Sequence, residues 1–424
     1  MATVTRARTV RAAARRRLGR HPRWLALGAV AGPGVLAGLS DDDPAGITTY
    51  SILGADFGYR LIWVLVLSTL ALIVFHELGA RMGVVTGCGL ATLIRRRYGR
   101  VAAIGAAILL LAANIGTTCA EFAGVAVATE LAGISRYLSV PIAAVLVSTL
   151  VVRGSFKLVE HVLLTLSAIF VAYIASGVLA HPDWGAAARG AVVPSLPVDR
   201  HAVLVATATV GTTLAPWGLA FIQSYAVDKR LSIVDLAFER IDVIAGAVMT
   251  GVIGFFIVIA CAATLNRTGT SITDAADAAA ALRPLAGQLA STLFGLGLLG
   301  AALLAAAILP LSSAYSVSEA FGRPCQIEAP VRDEPVFYGV YALVVVLGAG
   351  LVLIPRAPLV PILFLTQALN AILLLPLLAF IALLTRDRSV MGEHAVCRFG
   401  TLVTVTLAVL IAATIVLLGA LSLF

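Results

Sequence analysis

The sequence contains few charged residues. Asp, Glu, Lys and Arg make up 12% of its 424 residues, whereas hydrophobic residues make up 60% and the mean hydropathy is +1.01. Soluble domains carry about a quarter charged residues. A chain of this length with so apolar a surface would aggregate in water. The composition therefore excludes a large soluble protein and favours the lipid bilayer as its surroundings.

Motifs for soft metals, disulfides and common enzyme chemistry are also missing. The five cysteines are scattered and form no C-x-x-C pair, which argues against both a disulfide framework and a zinc site. No nucleotide-binding loop or nucleophile motif is visible, so an enzyme is not predicted and no cofactor is expected. His76 and His161 are predicted to lie near the membrane interface.

Long Ala- and Leu-rich stretches are abundant. Apolar windows of about 17 to 25 residues can each cross a bilayer as a helix, and their lack of alternation argues against a β-barrel. Eleven spans are predicted, at 24–56, 61–80, 102–131, 137–152, 158–180, 202–229, 241–265, 287–319, 336–354, 358–385 and 399–423. The fold class is therefore an all-α integral membrane protein.

The distribution of positive charge predicts its orientation. With the N-terminus inside, 23 of the 30 Lys and Arg residues fall in cytoplasmic segments and 7 fall outside. This bias is the positive-inside pattern, and it puts the C-terminus of an eleven-span protein outside. Residues 1–23 are then a basic cytoplasmic tail at the surface of anionic lipid. The net charge needs no nucleic acid partner, and no obligate protein partner is evident.

Two of the predicted spans are interrupted. DDDPAG, residues 41–46, divides the first span, and GTTLAPWG, residues 211–218, divides the sixth. Proline removes a backbone donor, and non-helical backbone at membrane depth is tolerated where it lines a cavity. Interrupted spans at matching positions of two halves indicate a transporter site at the midplane. We expect a LeuT-like fold in which residues 24–180 and 202–385 form a 5+5 inverted repeat and 399–423 adds one span.

The first interruption suggests a cation site. Asp43 directly precedes the proline, and an ionisable residue at this depth is a functional candidate. Asp41 and Asp42 are expected to face water in a vestibule. Carboxylates, freed carbonyls and hydroxyls are hard oxygen ligands that suit magnesium, calcium or manganese.

Other spans carry polar side chains at helical spacing. Asn114, Thr117, Thr118 and Glu121 share one face of the third span, and that face is expected to line a polar cavity. In the tenth span, Gln367 and Asn370 share a face and can add amide oxygens. Ser312, Tyr315, Ser316 and Glu319 form a similar face in the eighth span. Because they approach the cytoplasmic loop, a gate or packing role is predicted for them.

Several motifs resemble the NRAMP divalent-metal transporters. The resemblance begins with DPAG at 43–46 and GADFGYRLIWVLVLS, and is most specific in HELGARMGVVTGCGLATLIRRRYG. CAEFAG at 119–124 is similar to the third-span motif of the family. RGSFKLVE and PDWGAAARGAVVPSLP are similar to its fifth span and the loop that follows. The resemblance implies that Asp43 and Glu121 are retained site residues and that Thr212 supplies a carbonyl.

The differences from the family pattern concern the ion ligands. Gly46 stands where the family has Asn, and Ala215, Pro216, Trp217 and Gly218 stand where it has Met-Pro-His-Asn. Gln223 replaces a second histidine. The soft thioether that favours transition metals is absent, as are the imidazoles that could carry protons. The sequence in this respect is similar to the NRAMP-related magnesium transporters.

The resulting prediction is a secondary transporter of magnesium, and also of manganese, without proton coupling. The residues predicted for the ion site are Asp43, Gly46, Glu121, Thr212, Thr213, Ala215, Gln367 and Asn370. The alternative is a proton-coupled manganese or iron transporter that uses Asp41, Asp42 or Glu121 as its proton carrier. An amino-acid carrier, a channel and a receptor are further alternatives. The acidic interruption argues against an amino-acid carrier because it would repel a carboxylate. The paired interruptions argue against a channel, and the short loops argue against a receptor.

Overall fold

A computed structural model describes residues 42–152, 171–273, 275–283, 287–323 and 330–422. The predicted cytoplasmic tail, the first half of the first span, and most of the predicted fifth span, including His161, lie outside these ranges. The described ranges contain helices and connecting turns and no β-strand.

The helices follow the apolar stretches of the sequence. In chain order they are α1 Pro44–Phe57, α2 Ile62–Thr86, α3 Leu90–Tyr98, α4 Arg100–Leu131, α5 Arg136–Val152, α6 Val171–Leu179, α7 Trp184–Val192, α8 Arg200–Thr213, α9 Pro216–Asp228, α10 Leu236–Cys261, α11 Ala275–Ala280, α12 Ala290–Phe321, α13 Pro335–Val352, α14 Leu359–Arg386, α15 Arg388–Met391 and α16 Arg398–Ser422.

Within the described residues, eight helical stretches are long and apolar enough to cross a membrane. They correspond to the predicted second, third, sixth, seventh, eighth, ninth, tenth and eleventh spans. The sixth-span stretch, Arg200–Asp228, comprises both α8 and α9. Helix α5 corresponds to the fourth span, and α1 and α6 are the described parts of the first and fifth. The prediction of a multi-pass helical membrane protein is therefore confirmed.

One short helix has a different character. Helix α3 carries Arg95, Arg96 and Arg97 in its last turn, and the end of the bundle at which it lies is called the basic end. The guanidinium of Arg97 lies 2.7 Å from the carboxylate of Asp387, which follows α14. Hydrogen bonds from Ser389 and Arg97 lower the pKa of Asp387 to about 2. The pair is therefore charged at neutral pH and joins α3 to the end of the tenth span.

Polar contacts also join the helices at the opposite end. The imidazole of His201, at the start of α8, lies 2.8 Å from the carboxylate of Asp56 in α1. The indole N–H of Trp63 donates to the carbonyl of Ser195 at 3.1 Å. These contacts join the ends of α1, α2 and α8 that lie away from the basic end.

Candidate functional site

The two interrupted spans break at matching residues. Asp43 has φ −76° and ψ 170°, and Ala215 has φ −61° and ψ 132°, so both are extended. Each is followed by a proline that is the first residue of a helix, Pro44 in α1 and Pro216 in α9. Proline suits this position because its missing N–H would have no partner in the first turn. The predicted interruption of the sixth span is therefore confirmed at Ala215, and the described part of the first span begins its helix directly after Asp43, where its interruption was predicted.

Asp43 is the N-cap of α1. Its Oδ1 accepts a hydrogen bond from the backbone N–H of Gly46 at 2.6 Å, and its carbonyl accepts from the N–H of Ile47 at 2.9 Å. The partial positive charge of a helix N-terminus favours a negative group in this position. The residue is only 3% exposed. The sequence thus fixes a carboxylate in the middle of the bundle.

The break in the sixth span frees a backbone carbonyl. Helix α8 ends at Thr213, and the last amide to bond back into it is that of Leu214, which donates to Val210 at 2.9 Å. In a continuous helix the carbonyl of Thr212 would accept from residue 216, but Pro216 has no N–H. The Thr212 hydroxyl is buried and has no partner among the described residues. Thr212 therefore offers two oxygen atoms at the break.

Thr213 connects the two broken spans. Its hydroxyl donates to the carbonyl of Thr209 at 2.8 Å and lies 2.9 Å from the hydroxyl of Tyr50 in α1. Both contacts are buried. Since the Thr213 proton is directed to Thr209, the Tyr50 hydroxyl is the donor in the second contact. The side chain of Thr213 thus holds α1 against α8.

Glu121 lies beside Asp43. It is completely buried, its carboxyl group is close enough to that of Asp43 for the two to interact electrostatically, and neither of its oxygens makes a well-formed hydrogen bond with the residues described. One turn further along α4, a Cβ on Gly124 would lie within 2.5 Å of the Pro44 ring. Helix α4 therefore approaches the break closely because residue 124 has no side chain.

The amides of the tenth span form a network with the third. The Nδ2 of Asn370 donates to the Oγ1 of Thr117 at 2.9 Å and to the Oε1 of Gln367 at 3.0 Å. Thr117 in turn donates to the carbonyl of Ala113 at 3.1 Å. The backbone at Gln367 packs against Gly211 in α8. Gln367 and Asn370 therefore form a wall beside the sixth-span break, and their amides already bond to each other.

The predicted polar face of the third span is divided between three neighbouring helices. Asn114 donates to the hydroxyl of Ser313 in α12 at 2.9 Å, whereas Thr117 bonds to α14. Thr118 packs against Gly348 in α13. All four residues are buried, so this face of α4 looks into the bundle as predicted. Their described contacts go to different helices, and Glu121 is the one that interacts with Asp43.

Residues of the eighth span bind the second half of the sixth. Ser312 donates to the carbonyl of Trp217 at 2.9 Å, and the Tyr315 hydroxyl donates to Asp228 at 2.7 Å. Glu319 accepts from Ser224 at 2.7 Å and from the backbone N–H groups of Ala91 and Thr92 in α3 at 3.2 and 3.4 Å. These contacts have the form expected for packing or gating.

Sequence reasoning misplaced two residues. Asp42 was expected to face water in a vestibule, but it is completely buried, whereas Asp41 lies outside the described residues. His76 was expected near the membrane interface, but it is 1% exposed and lies ten residues before the end of α2. The apolar pattern of the span gave no sign of which face would be covered. The described residues contain no group of three or more His, Cys, Asp or Glu side chains that could hold a metal ion. A cation at this site would therefore need backbone oxygens as well as the two carboxyl groups.

Sequence comparisons identify the relatives of the chain. The Nramp family profile, described as natural resistance-associated macrophage protein-like, matches residues 34–421. The divalent metal cation transporter MntH of Acidiphilium cryptum is 32% identical over 69% of this chain and 69% of its own length. The MntH of Aeromonas hydrophila is 29% identical over 86% of this chain and 88% of its own.

Structural comparisons agree on the fold. A manganese transporter of Eremococcus coleocola, in complex with an aromatic bis-isothiourea compound, superposes with a TM-score of 0.72 at 19% identity, over 93% of this chain and 86% of the other. The nucleobase-cation-symport-1 family transporter Mhp1 superposes with a TM-score of 0.54 over 92% and 91%. The fold is therefore LeuT-like, as predicted. The chain belongs to the Nramp family and is a membrane transporter, not an enzyme.

Proposed function

We propose that the protein is a secondary transporter of divalent cations, of magnesium and also of manganese, that works by alternating access. The observation that supports this most directly is the pair of X-Pro breaks, at which the carboxylate of Asp43 lies beside Glu121 and Pro216 frees the carbonyl of Thr212. The names of the MntH relatives support divalent metal transport. The proposed ion site comprises Asp43, Glu121, Thr212 and the backbone at Gly46 and Ala215, with Thr213, Gln367 and Asn370 around it.

The chemistry of this site favours hard cations. Carboxylate and carbonyl oxygens suit magnesium and manganese, whereas a thioether would favour softer transition metals. Gly46 and Ala215 carry no side-chain ligand, so water molecules can occupy the coordination positions that Asn and Met would take. Magnesium gives up its hydration shell reluctantly and usually keeps several waters. A site with few protein ligands therefore suits a partly hydrated magnesium ion.

The proposed driving force is the gradient of the ion and the membrane potential. An inside-negative potential contributes about 4.6 kcal/mol per 100 mV for a divalent ion. The sixth span has Trp217 and Gln223 where the family has histidines. Gln223 donates to the carbonyl of Cys88 at 2.9 Å and is a hydrogen-bonded, non-titrating group. From its break onward, the sixth span therefore offers no imidazole to carry a proton, and its one histidine, His201, lies at the far end of α8.

A proton-coupled manganese or iron transporter is the second candidate. Its support is the carboxyl group of Glu121, which is completely buried beside Asp43 and could exchange a proton with it. Such a transporter must dehydrate its ion and should discriminate against magnesium. The two candidates therefore differ both in ion preference and in proton movement.

The proposed orientation places the basic end in the cytoplasm, with the N-terminus inside and the C-terminus outside. It rests on the bias of Lys and Arg toward that side. The proposal also treats residues 24–180 and 202–385 as the two inverted repeats, whose correspondence is supported by the matching Asp43–Pro44 and Ala215–Pro216 breaks.

Ion flux in liposomes tests the proposed function. Purified protein is reconstituted with a magnesium or manganese indicator in one preparation and a pH-sensitive dye in another, under an inside-negative potential. We expect both ions to enter and the internal pH to stay constant, and we expect the Asp43→Ala variant to carry neither ion. Acidification of the lumen that depends on the metal, together with exclusion of magnesium, would establish the second candidate instead.

A further inference from the structure

His76 in α2 is a buried histidine without a hydrogen-bond partner in the described part of the chain. It is 1% exposed, and neither ring nitrogen makes a hydrogen bond with any described residue. Its neighbour Glu77 does not supply one, because that carboxylate accepts from Arg81 and Arg240 at 2.6 to 3.0 Å. Most buried polar groups have a partner, in the protein or in water, so an unpaired imidazole requires an explanation.

The packing of α2 places His76 near the sixth-span break. A Cβ on Gly79 would lie 3.3 Å from the carbonyl oxygen of Leu219, and one on Gly83 would lie 2.6 Å from that of Gln223. The two helices thus run in the same direction, because the step from Gly79 to Gly83 in α2 follows the step from Leu219 to Gln223 in α9. Three residues before Gly79, His76 is level with Pro216, the first residue after the break.

A second contact shows which helices face the side of α2 that carries His76. Ala80, one turn after His76, packs against Ile222 in α9 and Val243 in α10. Residues four apart lie on the same face of a helix. His76 therefore lies where α2 meets α9 and α10, beside the first turn of α9.

We propose that His76 binds a water molecule of the hydrated cation as the ion passes between the break and the basic end. This inference rests on the function proposed above. An imidazole with one N–H has one bare nitrogen, which accepts a hydrogen bond from a water bound to the metal. The contact supports an ion that keeps its waters, and it therefore serves magnesium more than manganese. His76 is a residue that selects for the hydrated ion, in addition to the carboxylates that neutralise its charge.

Substitutions that separate hydrogen bonding from volume test this inference. Wild-type protein and the variants His76→Gln, His76→Leu and His76→Ala are reconstituted in liposomes, and KM and kcat are measured for each ion. We expect the Leu and Ala variants to raise the KM for magnesium about five- to tenfold, because each loses one hydrogen bond to the ion's water. The KM for manganese should rise by less. The Gln variant keeps a hydrogen-bonding group and is expected to stay close to the wild type. Ser68→Ala is the matched control and should change nothing, because it removes a buried hydroxyl, two turns earlier in α2, that also has no partner among the described residues.

The outcomes distinguish the inference from the proposed function. If wild-type protein carries neither ion, the proposed function fails. If wild-type protein carries an ion and the Leu and Ala variants have unchanged KM for it, the role of His76 is refuted while the function stands. A Gln variant as defective as the Leu variant also refutes it, since that result indicates a need for the shape of the ring. Thermal unfolding of each variant identifies any loss that is due to misfolding.

Discussion

The hydroxyl groups of Tyr50 and Thr213 lie 2.9 Å apart and join the described half of the first span to the first half of the sixth. Both residues are completely buried, and Thr213 follows the freed carbonyl of Thr212 directly. Because this bond holds α1 to α8, we expect these two half-helices to move as one unit. The parts of the site that separate during transport must then lie on other helices.

Removing this bond should destabilise the protein without removing an ion ligand. We expect Tyr50→Phe to lower the free energy of unfolding by about 1 kcal/mol, the usual net contribution of one hydrogen bond. Affinity for the ion should stay within about threefold of the wild type because no proposed ligand is changed. Thermal unfolding with and without the ion measures both quantities. A loss of binding with unchanged stability would instead make Tyr50 part of the ion site.

The charge of Asp43 can be separated from its capping role. Asparagine is as good an N-cap as aspartate, so Asp43→Asn should keep the hydrogen bond from Gly46 and the stability of α1. Asp43→Ala should cost about 1 kcal/mol of stability in the absence of metal. Both variants should lose the thermal stabilisation that magnesium gives the wild type, because both lose the carboxylate. Retained stabilisation by metal in the Asn variant would show that the charge is not needed.

The ion preference should depend on residues 46 and 215. The double substitution Gly46→Asn and Ala215→Met adds an amide and a thioether at the positions where the family has them. We expect magnesium uptake to fall and the ability of manganese to compete with magnesium to rise, because the thioether favours transition metals and the added volume displaces water. Competition between the two ions in liposomes measures this change. The single variants identify which side chain is responsible, and an unchanged ratio of the two ions would contradict the proposed selectivity.

Glu319 should keep the basic end closed. Its carboxylate accepts from Ser224 in α9 and from Ala91 and Thr92 in α3, and Gly89 leaves the space for it. Glu319→Ala leaves these donors unpaired, and we expect α9 and α3 to separate more often. Cys88, 8% exposed beside this contact, then reports the opening.

The measurement is the rate of Cys88 alkylation. Cys325 and Cys397 are first replaced by serine. Of the remaining thiols, Cys88 is the one beside the Glu319 contact, so its alkylation reports the opening. The rate should rise in Glu319→Ala and remain near the wild-type value in Ser313→Ala, which changes a hydroxyl of the same helix away from α3. Equal rates in all three proteins would mean that Glu319 serves only in packing.

The main features of the fold could be predicted because they depend on local chemistry. The length of an apolar stretch determines whether it can span a bilayer, and proline determines where a helix cannot continue. The breaks at Asp43 and Ala215 are therefore visible in the sequence. The family motifs then connect those breaks to a known architecture.

Other features depend on which helices become neighbours. The sequence puts Asn114, Thr117 and Thr118 on one face of α4, but three different helices cover that face in the folded protein. Glu319 binds residues more than 220 positions earlier in the chain. The burial of His76 likewise results from the packing of α9 and α10 on α2. Periodicity along one helix contains no information about such partners.

Calorimetric titration of magnesium and of manganese into purified wild-type protein and the Asp43→Ala variant tests the proposed cation site most directly. We predict that each ion binds once per chain in the wild type and that neither ion binds the variant. Equal binding to both proteins would contradict the assignment of Asp43, and absence of binding to the wild type would contradict the site itself.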